Sequence, residues 1–346
     1  TMWVMMNVSG KPYLFLYWGF VALALVKIFI QENTWKEWMF IFSFGILAII
    51  SWQCSEDKSP LLLMLGVCIS KGVNLDKLLK VDLIFRVIST ILLILLPAMG
   101  IFENMIIQER GITRMYFGWQ AANGMGFSFF MICLEWMYFR HRKFQWFDYA
   151  GILAMVVFLD KTANSRTAEL LMLAIIVLEM VVSIKERCFP KLEEYKVWVV
   201  GCVIGLIMDI GTFALSMYFY LVRQDIWNSL AATFTSRFRT PGAFLEAHGW
   251  TLFGSPYNPE VYDYLDIGFA YLTLHLGIII AMIVLILMVR TLIYGYQNHD
   301  EKLLLLFMFV CVRSMTESEH FTLVYAFFPV LLGMGIWKEQ KNWSKI

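Results

Sequence analysis

Arg110, Arg114, Arg166, Arg237 and Arg239 are the side chains in this chain best suited to hold an anion. A guanidinium is planar and always charged, and its fork of donors matches phosphate oxygens bidentately. The five lie in short polar segments, RGITRMYFGWQAANG (110–124), KTANSRTAE (161–169) and TSRFRT (235–240). Arg110 and Arg114 precede Asn123 at a small-residue helix start, where free amides welcome an anion. Arg166 opens a long apolar run, so its charge opposes the helix dipole unless an anion lies between. Glu169, three residues on, is the alternative source of neutralisation. Proton transfer has its own candidates. Asp266 stands where the chain re-enters an apolar run, a costly place for a carboxylate unless it is paired or working. His248 precedes it in the same polar stretch. Glu317 and His320 are three apart, hence on one face if helical, but they are too few to ligate a metal, and no metal site is expected.

These segments must be positioned by something that lives in lipid. Hydrophobic residues make up 60% of the chain and charged residues 16%, with a mean hydropathy of +0.66. A soluble domain carries about a quarter charged residues. The net charge of +1 and the lack of a basic tail point away from nucleic acid. The six cysteines are scattered without a CxxC pair, so neither a disulfide framework nor a zinc site is expected.

A spanning helix needs about 20 mostly apolar residues. Runs at 13–30, 38–53, 60–71, 81–101, 120–139, 146–160, 166–184, 197–220, 267–289, 303–315 and 321–337 predict an all-α integral membrane protein with about 11 transmembrane helices. No linker divides residues 1–346, which read as a single polytopic membrane domain. The polar stretch 221–266, roughly 45 residues, is far longer than an ordinary connection and reads as an external loop with a task. An amphipathic helix is expected over 225–234, and Pro241, Pro256 and Pro259 argue against regular helix through the loop's centre.

Lysine and arginine divide unevenly between the two faces that these spans imply. One face has sixteen cations, led by the loops RHRK (140–143) and KERCFPKLEEYK (185–196); the other has ten. The richer face is cytoplasmic by the positive-inside rule, which places 221–266 outside. Twelve of the sixteen inner cations are lysine and seven of the ten outer ones are arginine. That bias on the face that should be poor in cations points to an anionic ligand. Of the ionisable residues inside spans, Asp209 is the deepest, and it suits structural pairing and function equally.

The polar segments, in this order, resemble the bacterial Wzy-type polysaccharide polymerases, relatives of the O-antigen ligases and the SEDS polymerases. The likeness is carried by Arg114-x-x-Phe117-Gly118 with Asn123, Ser165-Arg166-Thr167, and Ser236-Arg237 followed by Gly249 to Gly254. It continues through Leu265-Asp266, Tyr271-Leu272, Gly277-Ile278 and Thr316-Glu317. The chain departs from the pattern at Ala122, at Ile267, and in lacking a glycine between Ser165 and Arg166.

The resemblance implies a GT-C-like membrane fold whose long external loop contains short helices and carries much of the active site. It implies an enzyme of the bacterial cytoplasmic membrane that joins undecaprenyl-diphosphate-linked repeat units on the outer side. Donor and acceptor are both lipid-linked glycans, no cofactor is needed, and a flippase and a chain-length regulator are its partners. On this reading Arg166 and Arg237, with Arg114 and Arg239, neutralise the departing diphosphate. Asp266, or next His248, takes the acceptor proton. Arg110, Asn123, Glu317 and His320 complete the candidate site. Trp250, Tyr257, Tyr262 and Tyr264 offer flat faces for a sugar. A ligase of the same fold differs only in acceptor. A lipid-linked sugar flippase would need functional charges at mid-membrane and inverted repeats, and no repeat is visible.

Overall fold

The computed structural model describes residues 11–101, 103–104, 106–109, 112–119, 121–188, 194–222, 239–258, 265–318, 321 and 327–337. Among them are thirteen α-helices and one two-stranded hairpin. Five helices are long and apolar enough to cross a membrane: α2 (Trp35–Ser55), α4 (Leu75–Ala98), α7 (Arg166–Cys188), α8 (Glu194–Val222) and α11 (Ile278–Gln297). The chain is a multi-pass membrane protein.

The expectation of about eleven spans, and with it the GT-C-like architecture, is therefore corrected. Several apolar runs fold as helices too short to span. These are α3 (Ser59–Ile69), α6 (Trp146–Lys161), α12 (Glu301–Ser314) and α13 (Phe328–Met334). The described apolar part of α1 (Lys11–Ile30) starts at Tyr17 and is also short. In α5 (Ala122–Arg140), Asn123, Gly124, Gly126, Ser128 and Glu135 dilute the apolar character. The run at 267–289 is broken, with α10 (Gly268–Ala270) passing into one π-helical turn (Tyr271–His275) before α11 begins. Hydropathy reports burial in something apolar, whether lipid or protein, and a run of 10–14 residues is as well explained by a buried half-length helix.

Burial is inverted relative to a soluble protein. Leu23, Phe29, Val81, Ile84, Ile88, Val177, Ile207 and Ile286 are exposed along the helices, whereas Arg86, Glu135, His141, Glu179, Asp209 and His275 are buried. Continuous apolar exposure of this kind marks a lipid-facing surface.

The fold divides into two compact units, unit 1 (residues 1–18 and 74–193) and unit 2 (residues 19–73 and 194–346). In unit 1, α5 is the central rod, packed against α4, α6 and α7. Its residues from Met125 to Leu134 are all buried. At Gly126 a Cβ would lie 2.2 Å from Ser165 Oγ, so the start of α7 seats against α5 only because that position lacks a side chain. The hairpin β1 (Ile106–Glu109) and β2 (Ile112–Met115) is antiparallel, with Ile107 opposite Arg114.

In unit 2, α8 packs along α12, and α3 lies between α2 and α13. A helix that ends among apolar side chains must find donors for its last carbonyls. Those of α3 are met from far away in sequence. Trp337 Nε1 donates to Val67 O at 3.0 Å, Gln31 Nε2 to Cys68 O at 3.3 Å, and Lys27 Nζ to Ile69 O. The short helix α9 (Thr240–His248) packs on α8, and Pro241 stands in its first turn, where a missing amide costs nothing.

Candidate functional site

Unit 1 brings two of the arginine segments together. The backbone N–H of Met115 donates to Thr162 O at 3.1 Å, which ties β2 to the turn between α6 and α7. Arg114 is on that strand and Arg166 is the first residue of α7. Both guanidinium charges act on the half-buried carboxylate of Glu169, one turn into α7. Its Oε1 is buried with no hydrogen-bond partner among the described residues. Asp160 also acts on Glu169 and is itself paired with Lys161 at 3.0 Å. Among the described residues, Arg114, Arg166 and Asp160 thus act on Glu169 at the N-terminus of a 23-residue helix. Glu169 is within reach of Arg166, as the alternative reading of that residue expects. Arg166 is exposed, Arg114 partly buried, and Asn123 partly buried in the first turn of α5. Arg110 lies outside the described residues.

Unit 2 holds the other candidates. Arg239 is exposed and caps the start of α9. His248 closes α9, a favourable end for a cation, with its ring 4.6 Å from the buried Phe244. Asp266 is partly buried and Glu317 is buried. Arg237, His320, Tyr262 and Tyr264 lie outside the described residues, as does the amphipathic helix expected at 225–234. Trp250 is 55% exposed and meets Phe213 in a T-shaped contact. Asp209 has structural partners. It accepts from Phe269 N at 3.4 Å and from Ser314 Oγ, capping the start of α10.

The constellation that sequence reasoning missed is a buried knot of Asp57, Tyr271 and His275. Asp57 Oδ1 accepts from the Ser59 amide at 2.8 Å and from Ser59 Oγ at 2.7 Å. Its Oδ2 accepts from Tyr271 Oη at 2.7 Å and faces His275 Nε2 at 3.1 Å. His275 Nδ1 lies 2.8 Å from Ser255 O. Both ring nitrogens therefore lie within hydrogen-bond distance of an oxygen. Burial pushes the Asp57 carboxyl up, but the bond and charge of His275, helped by Tyr271 and Ser59, hold it well below the usual carboxylate range.

The knot secures the helix break. Ser255 N donates to His275 O at 3.1 Å, and Ser51 Oγ to Leu276 O at 2.6 Å. The first amides of α11, Ile278 N and Ile279 N, donate to Thr251 O at 3.2 Å and Leu252 O at 3.1 Å. The stretch 251–255 thus satisfies the groups that the break releases. Gly254 and Gly277, with φ of 94° and 98°, let the two backbones meet. A Cβ on Gly254 would lie 2.2 Å from His275 O. The signal available in the sequence was a histidine inside an apolar run, YLTLHLG.

Among the described residues, no three of His, Cys, Asp and Glu are grouped to hold a metal ion. Compared with known proteins, the chain matches no protein-family model, no curated protein and no solved structure.

Proposed function

We propose that this protein is a glycosyltransferase of a bacterial cytoplasmic membrane that polymerises polyprenyl-diphosphate-linked oligosaccharide units. The observation that supports this reading most is the meeting of Arg114 and Arg166, from segments about 50 residues apart, around Glu169 at one helix N-terminus. The leaving group of such a transfer is a lipid diphosphate. Preorganised guanidinium donors and helix amides stabilise the charge that grows on it as the glycosidic bond breaks. The exposed face of Trp250 suits a sugar ring, which stacks on aromatic surfaces. The family resemblance alone assigns the acceptor hydroxyl's proton to Asp266.

The test is reconstitution of the purified protein in lipid with a synthetic polyprenyl-diphosphate-linked repeat unit. A ladder of longer glycans is expected, and it disappears in Arg166→Ala and in Asp266→Asn. No ladder from the wild type, with movement of the lipid-linked unit across vesicles instead, overturns the reading in favour of a flippase.

A further inference from the structure

Unit 1 holds a second charged cluster, independent of the reading above, on the facing sides of α4 and α5. Arg86 Nε lies 3.0 Å from Asp82 Oδ2 and 3.2 Å from Glu135 Oε1, so two carboxylates share one N–H. Arg86 Nη2 reaches the same Asp82 oxygen at 3.0 Å, and the guanidinium lies over the Phe127 ring at 5.9 Å. Glu135 is fully buried, and its second oxygen, Oε2, has no hydrogen-bond partner among the described residues. Asp82 keeps 25% side-chain exposure, which gives the cluster a way out.

The charges around the pair are engaged elsewhere. On α7, Glu179 is bound to His141 at 2.6 Å, and on α6, Asp148 is bound to Arg140 at 2.9 Å. At the start of α4, Asp76 accepts from Tyr138 at 2.7 Å. One guanidinium against two carboxylates leaves a negative charge over, in a place walled by apolar side chains. An uncompensated buried charge is among the most costly arrangements a protein can hold. A bare carboxylate oxygen without a donor is worse off there than a hydroxyl.

We propose that Asp82 and Glu135 form a proton-binding site in which Glu135 carries the proton at neutral pH and Arg86 pairs with Asp82. Proton uptake converts Glu135 from carboxylate to carboxylic acid; no bond to carbon changes and no second reactant is needed. The partly exposed Asp82 is the group through which the proton comes and goes. The arrangement is that of a proton-accepting step linked to whatever work the two helices do.

Infrared spectroscopy of the intact protein in lipid tests the assignment. At pH 7 the wild type is expected to show a protonated-carboxyl C=O stretch that shifts in D2O and fades at alkaline pH. Glu135→Gln, isosteric with the protonated acid, is expected to lose that band and keep the fold. Asp209→Asn, which removes another buried carboxyl, is expected to retain it. Asp82→Asn is expected to move the pH at which the band fades. No protonated band in the wild type at pH 7 overturns the proposal, as does a band that survives Glu135→Gln. A band that appears or vanishes when sodium replaces choline makes this an alkali-cation site and overturns it too. If Glu135→Gln fails to fold, the wild-type titration and its shift in Asp82→Asn still decide the matter.

Discussion

The cluster at the start of α7 and the knot at the helix break are both built from charged groups, yet they are opposites. Around Glu169 two guanidinium groups act on one half-buried carboxylate, and Arg166 is exposed. Around Asp57 four donors converge on two carboxylate oxygens, and each His275 nitrogen has an acceptor. A site with an exposed guanidinium at its rim is accessible to an anion. A site whose donors and acceptors all match is built to stay closed. The first reads as function and the second as the fastening that holds 251–255 against the broken helix.

Substitutions can break that contrast. Asp57→Ala should cost the most stability, about 3 kcal/mol, because it leaves the Ser59, Tyr271 and His275 groups around it without their shared acceptor. Thermal unfolding in detergent measures it, and an unchanged midpoint would mean that the knot fastens nothing. Arg166→Ala should do the reverse, lowering glycan product about 100-fold, as loss of one preorganised donor does. Its stability should stay within about 0.5 kcal/mol, since the side chain is exposed. Arg166→Lys keeps the charge without the fork and should recover only part of the rate, read from the same ladders.

Smaller effects sharpen the contrast. Gly254→Ala should destabilise by about 2 kcal/mol, since the backbone is strained for any side chain and the new Cβ meets the His275 carbonyl. Limited proteolysis at 249–258 should detect the loosened segment. Tyr271→Phe removes one of the four donors to Asp57 and should cost about 1 kcal/mol. The pH dependence has a definite sign. The folded pKa of Asp57 is depressed, so its contribution is complete above the unfolded value of about 4 and is lost as pH falls through the folded one. Unfolding midpoints followed from pH 5 downward should drop in the wild type, and part of that acid limb should be missing in Asp57→Asn.

Arg114 and Arg166 were legible in the sequence because their meaning is local: arginine on a face poor in cations, and a cation at a helix start. Asp57 and His275 were not, because their partnership joins residues 218 apart. Asp57 by itself reads as part of a polar turn, SEDKSP, and His275 as one polar residue among apolar ones. The partners of Asp209, Phe269 and Ser314, were equally out of reach, lying 60 and 105 residues away. The helix at 240–248 was hidden by a proline that starts it rather than breaking it.

Composition alone settled that this chain lives in a membrane, because transfer to an apolar medium is a sum over residues that needs no knowledge of their arrangement. It could not settle how many runs cross that membrane. Lipid and a neighbouring helix are equally apolar, and only packing tells α3 or α12 from a true span. Nor could it show which charges were already matched. A hydrogen bond acts over about 3 Å while its partners stand hundreds of residues apart, so the tertiary fold alone decided which polar groups remain open to a ligand.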